Sequence, residues 1–238
     1  MPIDPSPAIP PDTPLSKLPN FDPREVPVVG VDAHLPPVPP AQLRPDALRL
    51  RFARPPAWEQ ELRSEPRFTD RQPAHAAVLV PIVMRERPMV LLTERAVRMT
   101  THSGQVAFPG GKRDDTDLGP ADTALREAHE EIGLDRGLAE VLGDLPTYTT
   151  GTMFIVTPVI ALVQPDYRLA LNALEVADAF EVPLDFLMDP ANHRRHIIEF
   201  SGTRREWFSM PYAEAGKERF IWGATAGMLR NFYRFLAA

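Results

Sequence analysis

Hydrophobic and polar positions along the middle of the chain predict β-strands. Two apolar, β-branched runs, Ala76–Met84 and Met89–Glu94, flank the polar residues 85–88, a pattern typical of a β-hairpin. A second hairpin is predicted from residues 196–200 and 205–210, joined through Ser201, Gly202 and Thr203. Val156–Val163 has the pattern of another strand, and Glu175–Met188 that of a strand or turn entering a short helix.

Helical spacing marks three further segments. In Thr123–Ile132 the apolar residues Leu125, Ala128 and Ile132 fall on one face, and Gly133 is a plausible helix stop. The segment Trp222–Leu236 also predicts a helix, with an apolar face supplied by Met228, Leu229, Phe232 and Phe235. A short helix between Asp46 and Arg63 would be broken at Pro55 and Pro56. A mixed sheet with few helices predicts an α+β fold, arranged as an α/β/α sandwich.

Proline separates an N-terminal extension from the rest of the chain. More than half of the 28 prolines precede Trp58. Proline fixes φ and lacks a donor, so residues 1–57 are predicted to be extended or irregular, followed by a folded domain over residues 58–238. The apolar stretch Val26–Gly30 could dock on a sheet edge or on a second subunit, and the extension could thereby hold a homodimer together.

Composition excludes several classes of function. The net charge of -6 and the pI near 5.6 argue against nucleic-acid or anionic-membrane binding, which needs a concentrated basic surface. No apolar run approaches the roughly 18 residues of a membrane span. The absence of cysteine excludes disulfides, thiolate metal sites and cysteine nucleophiles, and it fits a cytoplasmic location. Any anionic substrate must therefore be met by local cations or by a metal.

A cluster of like charges on the Thr123–Ile132 helix is the strongest chemical signal. Glu127, Glu130 and Glu131 stand at i, i+3 and i+4, so their carboxylates project from neighbouring positions. Such pairs cost about 0.2–0.5 kcal/mol each, a cost that a bound Mg²⁺ or Mn²⁺ would reverse. The alternative is a solvated acidic face in which Arg126 pairs with Glu130.

The loop before this helix has the chemistry of a diphosphate site. Gly110 and Gly111 follow Phe108 and Pro109, and they allow a ligand to approach the backbone closely. Lys112 and Arg113 add two cations. Exposed N–H groups, cations and a metal together suit a pyrophosphate. A zinc-protease site is excluded, because His129 lacks the second histidine of HExxH, and no GxSxG, P-loop or GxGxxG occurs in a fitting context.

These residues resemble the Nudix hydrolase family. The run from Arg126 to Leu134 matches the REx2EExG half of the Nudix box followed by an aliphatic residue, and Gly111 opens the first half. The usual box has glutamate where this chain has Asp117, and its arginine comes one residue earlier than Arg126. By this resemblance Glu127, Glu130 and Glu131 would bind catalytic Mg²⁺ or Mn²⁺, and Arg126 would orient a carboxylate.

The stretch before the box resembles the coenzyme A pyrophosphatase branch of that family. Residues 91–111 match LLTxR[SA]x3Rx3Gx3FPGG, with Thr100 at the position of the second arginine. The resemblance implies hydrolysis of coenzyme A, or a derivative, to 3′,5′-ADP and 4′-phosphopantetheine by water attack on phosphorus. The candidate substrate-binding residues are Arg95, His102, Gln105, Gly110, Gly111 and Lys112.

Several alternatives stay open at the level of sequence. The general base could be a helix glutamate or a carboxylate elsewhere, such as Glu175 or Glu181. The substrate could be another diphosphate, such as ADP-ribose or a dinucleotide. A third reading is a non-catalytic binding module with the Nudix fold, although the complete glutamate set argues against it.

Overall fold

The computed structural model describes residues 21–67, 69–96, 104–200, 203–214 and 216–238, without the side chains of residues 200 and 203. The strands of this described part are β1 (Val28–Val31), β2 (Ala74–Val83), β3 (Met89–Arg95), β4 (Val106–Ala107), β5 (Gly110–Lys112), β6 (Ala139–Asp144), β7 (Tyr148–Thr149), β8 (Phe154–Val163), β9 (Val176–Pro183), β10 (Arg194–Phe200), β11 (Thr203–Glu214) and β12 (Lys217–Trp222). Its α-helices are α1 (Pro45–Ala53), α2 (Pro120–Ile132), α3 (Leu184–Leu187) and α4 (Gly223–Ala237).

The predicted elements are present. The first hairpin is β2 and β3, paired antiparallel with Val83 opposite Met89, and the second is β10 and β11, with Arg194 opposite Ser209. Helix α2 ends at Ile132, and Gly133 follows with φ 70°, in the left-handed region that glycine adopts without strain. The sheets and helices together confirm the α+β fold.

A mixed sheet forms the centre of the fold. Its strands run in the order β4-β3-β2-β8-β6, and β5, β7 and β9 pair with β2, β8 and β3 respectively. Strands β2 and β8 pair in parallel over ten residues, whereas β3 and β5 pair antiparallel with β2. The parallel pair places the long apolar strands β2 and β8 in the middle of the sheet, where both faces are covered.

Alternating side chains of β2 divide the core into two layers. Ala77, Leu79 and Val83 pack with Ala128 and Ile132 of α2 on one face. On the other face the alternate β2 residues, Ala76, Val80 and Ile82, belong to the same cluster as Leu229 and Phe232 of α4. Because side chains point to opposite faces along a strand, one strand joins both layers. This is the predicted α/β/α arrangement, with the sheet between α2 and α4.

A second sheet carries the order β1-β10-β11-β12. Strand β1 is its edge and pairs antiparallel with β10, the sheet-edge docking considered for Val26–Gly30. The side chains of Val38, Leu43 and Leu48 are buried, so part of the proline-rich region contributes to the core. The division of the chain between residues 57 and 58 stays a prediction.

A charge network ties this N-terminal region to α4. Arg230 is 2% exposed, and its guanidinium lies 2.8 Å from carboxylate oxygens of both Asp32 and Glu61. Tyr233 donates a hydrogen bond to the carbonyl of Pro36 at 2.9 Å. None of the helices in the described ranges is both long and apolar enough to cross a membrane.

Candidate active site

A cavity of about 550 Å³ opens between the central sheet and the layer formed by β11 and α4. Lys112 of β5, Ala76 of β2, Val156 of β8 and Tyr148 of β7 are consecutive neighbours across the sheet, and all line this cavity. Trp207 of β11 and Met228 of α4 line it as well. The cavity therefore follows the sheet sideways from the glycine-rich loop.

The structure brings two of the three helix glutamates to the cavity. Glu127 and Glu131 line it. Glu130 is not among the lining residues; its side chain is 54% exposed and pairs with Arg126 at 3.1 Å. The exposed ion pair of Arg126 with Glu130 and the glutamates that line the cavity thus occur on the same helix.

Burial disfavours the charged forms of Glu127 and Glu131, the two glutamates that point into the cavity. Burial raises the pKa of Glu131 to about 7, and the charges of Glu127 and Glu175 add to this shift, against the N–H of Gly110 and the cation of Arg95. Burial likewise raises the pKa of Glu127, opposed mainly by Arg126. A cation between these carboxylates would oppose both shifts, because it stabilises the charged form of each carboxyl.

Arg126 is the hub of the acidic helix. Its guanidinium donates to both carboxylate oxygens of Asp117, at 3.0 and 2.9 Å, and to Glu127 at 3.0 Å. It also donates to the carbonyl oxygen of Lys112 at 3.0 Å. This pairing holds the pKa of the buried Asp117 carboxyl well below its usual range. Arg126 thus connects the glycine loop, the first half of the box and the helix.

The glycine loop approaches the helix so closely that side chains would not fit. A Cβ added at Gly111 would lie 2.5 Å from the Glu127 carboxyl carbon. The N–H of Gly110 donates to Glu131 at 3.1 Å. The loop therefore positions both inward carboxylates, one by contact and the other by a hydrogen bond.

The other candidate substrate-binding residues lie partly in the cavity. Arg95, Gln105, Gly110, Gly111 and Lys112 line it. Arg95 lies 3.8 Å from Glu131, between Nη1 and Oε1. His102 and Thr100 fall outside the described residues.

The two candidate bases outside the acidic helix, Glu175 and Glu181, differ in their position relative to the cavity. Glu181 accepts two hydrogen bonds of 2.6 Å from Arg85 and a further one from the hydroxyl of Tyr167, and it is not among the residues that line the cavity. Glu175 lines the cavity, and its charge acts on both Glu127 and Glu131. Asn172 donates to it at 3.0 Å. Only Glu175 of this pair can reach a ligand in the cavity.

The donor chemistry of the site fits a hard divalent cation. Glu127 and Glu131 offer carboxylate oxygens only, the ligand type that Mg²⁺ and Mn²⁺ prefer. Within the described ranges, no three or more histidine, cysteine, aspartate or glutamate side chains are gathered closely enough to hold a metal ion. Since Arg126 engages Glu127 and Glu130, a cation shared by the three glutamates requires rotation of these side chains.

Several residues that line the cavity were not predicted from the sequence. They include Glu65, Tyr148, Arg205, Trp207 and Trp222. These residues come from separate segments, and no local motif unites them. The order of strands in the two sheets brings them together, so only the three-dimensional structure reveals them.

Comparison with known proteins identifies the family. A family model for the NUDIX domain matches residues 73–214. Over 157 residues, 66% of this chain and 79% of the relative, the chain is 42% identical to "Uncharacterized Nudix hydrolase NudL" of Enterobacter sp.. A protein of the same name from Escherichia coli is 40% identical over the same shares. The solved structure of a C. elegans Ap4A hydrolase binary complex is similar with a TM-score of 0.43 and 20% identity, covering 69% of this chain and 98% of that one. The chain belongs to the Nudix hydrolase family.

Proposed function

We propose that this protein hydrolyses the diphosphate of coenzyme A, or of a derivative, to 3′,5′-ADP and 4′-phosphopantetheine. The observation that carries the proposal is the shared cavity in which Glu127 and Glu131 face the cations Arg95 and Lys112. Carboxylates suited to a metal and cations suited to phosphate oxygens thus surround one space. The match of residues 91–111 to the coenzyme A pyrophosphatase motif supports this choice of substrate.

Glu127 and Glu131, with Glu130 after side-chain rotation, would hold Mg²⁺ or Mn²⁺. When bound, the metal would supply charge neutralisation at the phosphate oxygens and a lowered pKa for the attacking water. Arg126 orients Glu127 and Glu130 through its hydrogen bonds of 3.0 and 3.1 Å. Gly110 orients Glu131 through its N–H.

The reaction needs no nucleophile from the protein. A water oxygen forms a bond to one phosphorus, and the bond from that phosphorus to the bridging oxygen breaks. The electron pair of this bond stays on the bridging oxygen, which leaves as part of the second phosphate product. We propose Glu175 as the acceptor of the water proton, because it lines the cavity beside Glu127 and Glu131.

Among the described residues, three cations line the cavity and suit the phosphate groups of the substrate. Lys112 lies in the glycine loop, Arg95 at the end of β3, and Arg205 on β11. Coenzyme A carries a 3′-phosphate besides its diphosphate, so its binding calls for cations beyond those at the reacting phosphorus. Arg95 is proposed for a phosphate, and Gln105 for a polar contact.

The test is a substrate panel with product analysis. Purified protein is incubated with coenzyme A, dephosphorylated and acylated coenzyme A, ADP-ribose, a dinucleoside polyphosphate and a nucleoside triphosphate, with Mg²⁺ or Mn²⁺ and with an EDTA control. We expect EDTA-sensitive release of 3′,5′-ADP and 4′-phosphopantetheine, with the highest kcat/KM for a coenzyme A compound. Preference for another diphosphate would transfer the same chemistry to that substrate, and no turnover of any compound would favour a binding module.

Two further features are proposed. The lack of cysteine fits a reducing cytoplasm as the location.

A homodimer could form through the N-terminal region, because β1 is an edge strand whose Val28, Val29 and Val31 side chains are 44%, 53% and 42% exposed. An exposed apolar edge strand presents unpaired backbone groups to a second chain.

A further inference from the structure

The part of the cavity remote from the glycine loop has a chemistry of its own. We call it the distal recess and define it by Glu65, Tyr148 and Phe154, while Trp207 of β11 and Met228 of α4 line the same cavity. It contains one carboxylate among aromatic and apolar side chains. The residues proposed for metal and diphosphate binding lie on other elements.

The register of the central sheet gives the distance between Lys112 at the glycine loop and Tyr148 in the distal recess. Lys112 pairs with Ala76, Ala76 with Val156, and Val156 with Tyr148. Neighbouring strands are about 4.8 Å apart, so Tyr148 stands about 14 Å from the backbone of Lys112. The segment that holds Glu65 follows on the far side, since the N–H of Glu65 donates to the carbonyl of Thr149 at 2.8 Å. The recess is thus a lateral continuation of the diphosphate site.

Glu65 is fixed in this recess and keeps acceptor capacity. Its Oε1 accepts a hydrogen bond from the Tyr148 hydroxyl at 3.2 Å, and its Oε2 accepts one from the N–H of Gly151 at 2.9 Å. A carboxylate has about four lone-pair sites, so these bonds leave places for further donors. Burial raises the pKa of Glu65, so a ligand that brings an N–H donor would relieve a real cost.

Aromatic side chains of the second sheet line the same cavity as this acceptor. Trp207 is 7% exposed, and its indole stacks on His196 with an interplanar angle of 8°. Trp222 meets Trp207 edge to face at 6.3 Å, and Phe21 meets Trp207 at 6.1 Å. Such packing holds the indole rigidly. Rigid aromatic surfaces suit the stacking of a planar heterocycle.

We infer that the distal recess binds the adenine base of the substrate, with Glu65 accepting a hydrogen bond from the exocyclic amino group. This inference rests on the proposed hydrolysis of an adenine-containing diphosphate and adds the residue that selects the base. The negative charge of Glu65 disfavours a phosphate in the recess, whereas an amino group supplies the donor that a carboxylate requires. The separation along the sheet leaves space for the sugar between base and diphosphate.

Base exchange tests the inference in the intact protein. Coenzyme A is compared with its hypoxanthine counterpart, in which an oxo group replaces the amino group. We expect kcat/KM to be about 10-fold or more higher for the adenine compound, in line with the discrimination of one specific base contact. Glu65→Gln, whose amide can donate to the oxo group, should remove or reverse this preference. Glu59→Gln, an exposed glutamate in the same segment, should leave it unchanged.

A binding measurement separates this inference from the proposed reaction. Quenching of tryptophan fluorescence by AMP and by IMP is followed without metal, since Trp207 and Trp222 line the cavity. Tighter binding of AMP, with the difference lost in Glu65→Gln, supports the recess even if no compound is hydrolysed. Equal binding of AMP and IMP, or an unchanged preference in a folded Glu65→Gln protein, would overturn it. Absence of hydrolysis alone would count against the reaction only.

Discussion

Arg126 Nη2 lies 2.9 Å from Asp117 Oδ2, and its Nε lies 3.0 Å from Oδ1 of the same carboxylate. These two residues are the positions at which the chain departs from the usual Nudix box. In space they are partners. The shorter acid at residue 117 and the later arginine at residue 126 form one bidentate ion pair, which fixes the loop before α2 to this helix.

The ion pairs of Arg126 predict that even a substitution that keeps the positive charge lowers activity. Arg126→Lys should lower kcat/KM by about 10- to 100-fold, because one ammonium group cannot satisfy Asp117, Glu127 and Glu130 together. Steady-state kinetics with Mn²⁺ would measure this. Arg136→Lys is the matched control, since Arg136 pairs with Asp122 on a half-exposed surface. Equal effects of the two substitutions would contradict a special role for Arg126.

The close approach at Gly111 predicts a steric effect on the metal site. In Gly111→Ala the added methyl would lie 2.5 Å from the Glu127 carboxyl carbon, so Glu127 must move. We expect Mn²⁺ affinity to fall by at least about 10-fold, measured by calorimetry or by Mn²⁺ paramagnetic resonance. Gly119→Ala, with no atom within 4 Å of the new methyl, should bind Mn²⁺ normally. Unaltered Mn²⁺ binding by Gly111→Ala would remove Glu127 from the proposed ligands.

Burial of His193 predicts a pH dependence of stability. Its Nε2 contacts the carbonyl of Leu187 at 2.8 Å, its Nδ1 faces the Arg230 guanidinium at 3.2 Å, and burial lowers its pKa to about 4. Below about pH 6.5 the unfolded chain binds a proton that the folded chain does not, so the free energy of unfolding should fall. The loss should reach up to about 3 kcal/mol by pH 4.

A comparison of variants isolates this contribution from that of the carboxylates. Urea unfolding of the wild type and of His193→Gln is measured between pH 7.5 and pH 4. The wild type should lose more stability on acidification than the variant, because glutamine does not titrate. Parallel curves for the two proteins would show that His193 does not contribute.

The exposed edge strand predicts a dimer that a single charge disrupts. If β1 joins two subunits, light scattering should give a mass of two chains for the wild type and of one chain for Val29→Lys. Leu50→Lys places the same charge on a 58% exposed leucine of α1 and should leave the mass unchanged. A wild-type mass of one chain would exclude this dimer.

Local patterns in the sequence predicted the elements but not their arrangement. The apolar, β-branched run that became β2 and the helical spacing of α2 carry their own structural signal, as does the acidic cluster at Glu127 and Glu131. The strand Lys217–Trp222 was not among the predicted elements, because it begins with three charged residues, of which Lys217 and Glu218 are exposed. Edge and surface strands lack the alternation that would reveal them.

The distal part of the cavity could not be predicted, because it depends on pairing between distant segments. Glu65 contacts Tyr148 because the chain before β2 runs beside β7. The orientation of Glu130 is a second example. Spacing on the helix treats it as equivalent to Glu127, whereas packing of the loop against α2 places one carboxylate in the cavity and leaves the other half exposed.

The most direct test of the central claim compares wild type and Glu131→Gln on coenzyme A under identical conditions. Both are supplied with Mn²⁺, an EDTA control is run alongside, and products are resolved by mass spectrometry. We predict metal-dependent release of 3′,5′-ADP and 4′-phosphopantetheine by the wild type. We predict at least about a 100-fold loss in the variant, with an unchanged circular dichroism spectrum, because a carboxylate lost from the metal site removes several kcal/mol of transition-state stabilisation. Full activity of Glu131→Gln, or full wild-type activity in EDTA, would contradict the assignment of the acidic helix as the metal-binding catalytic centre.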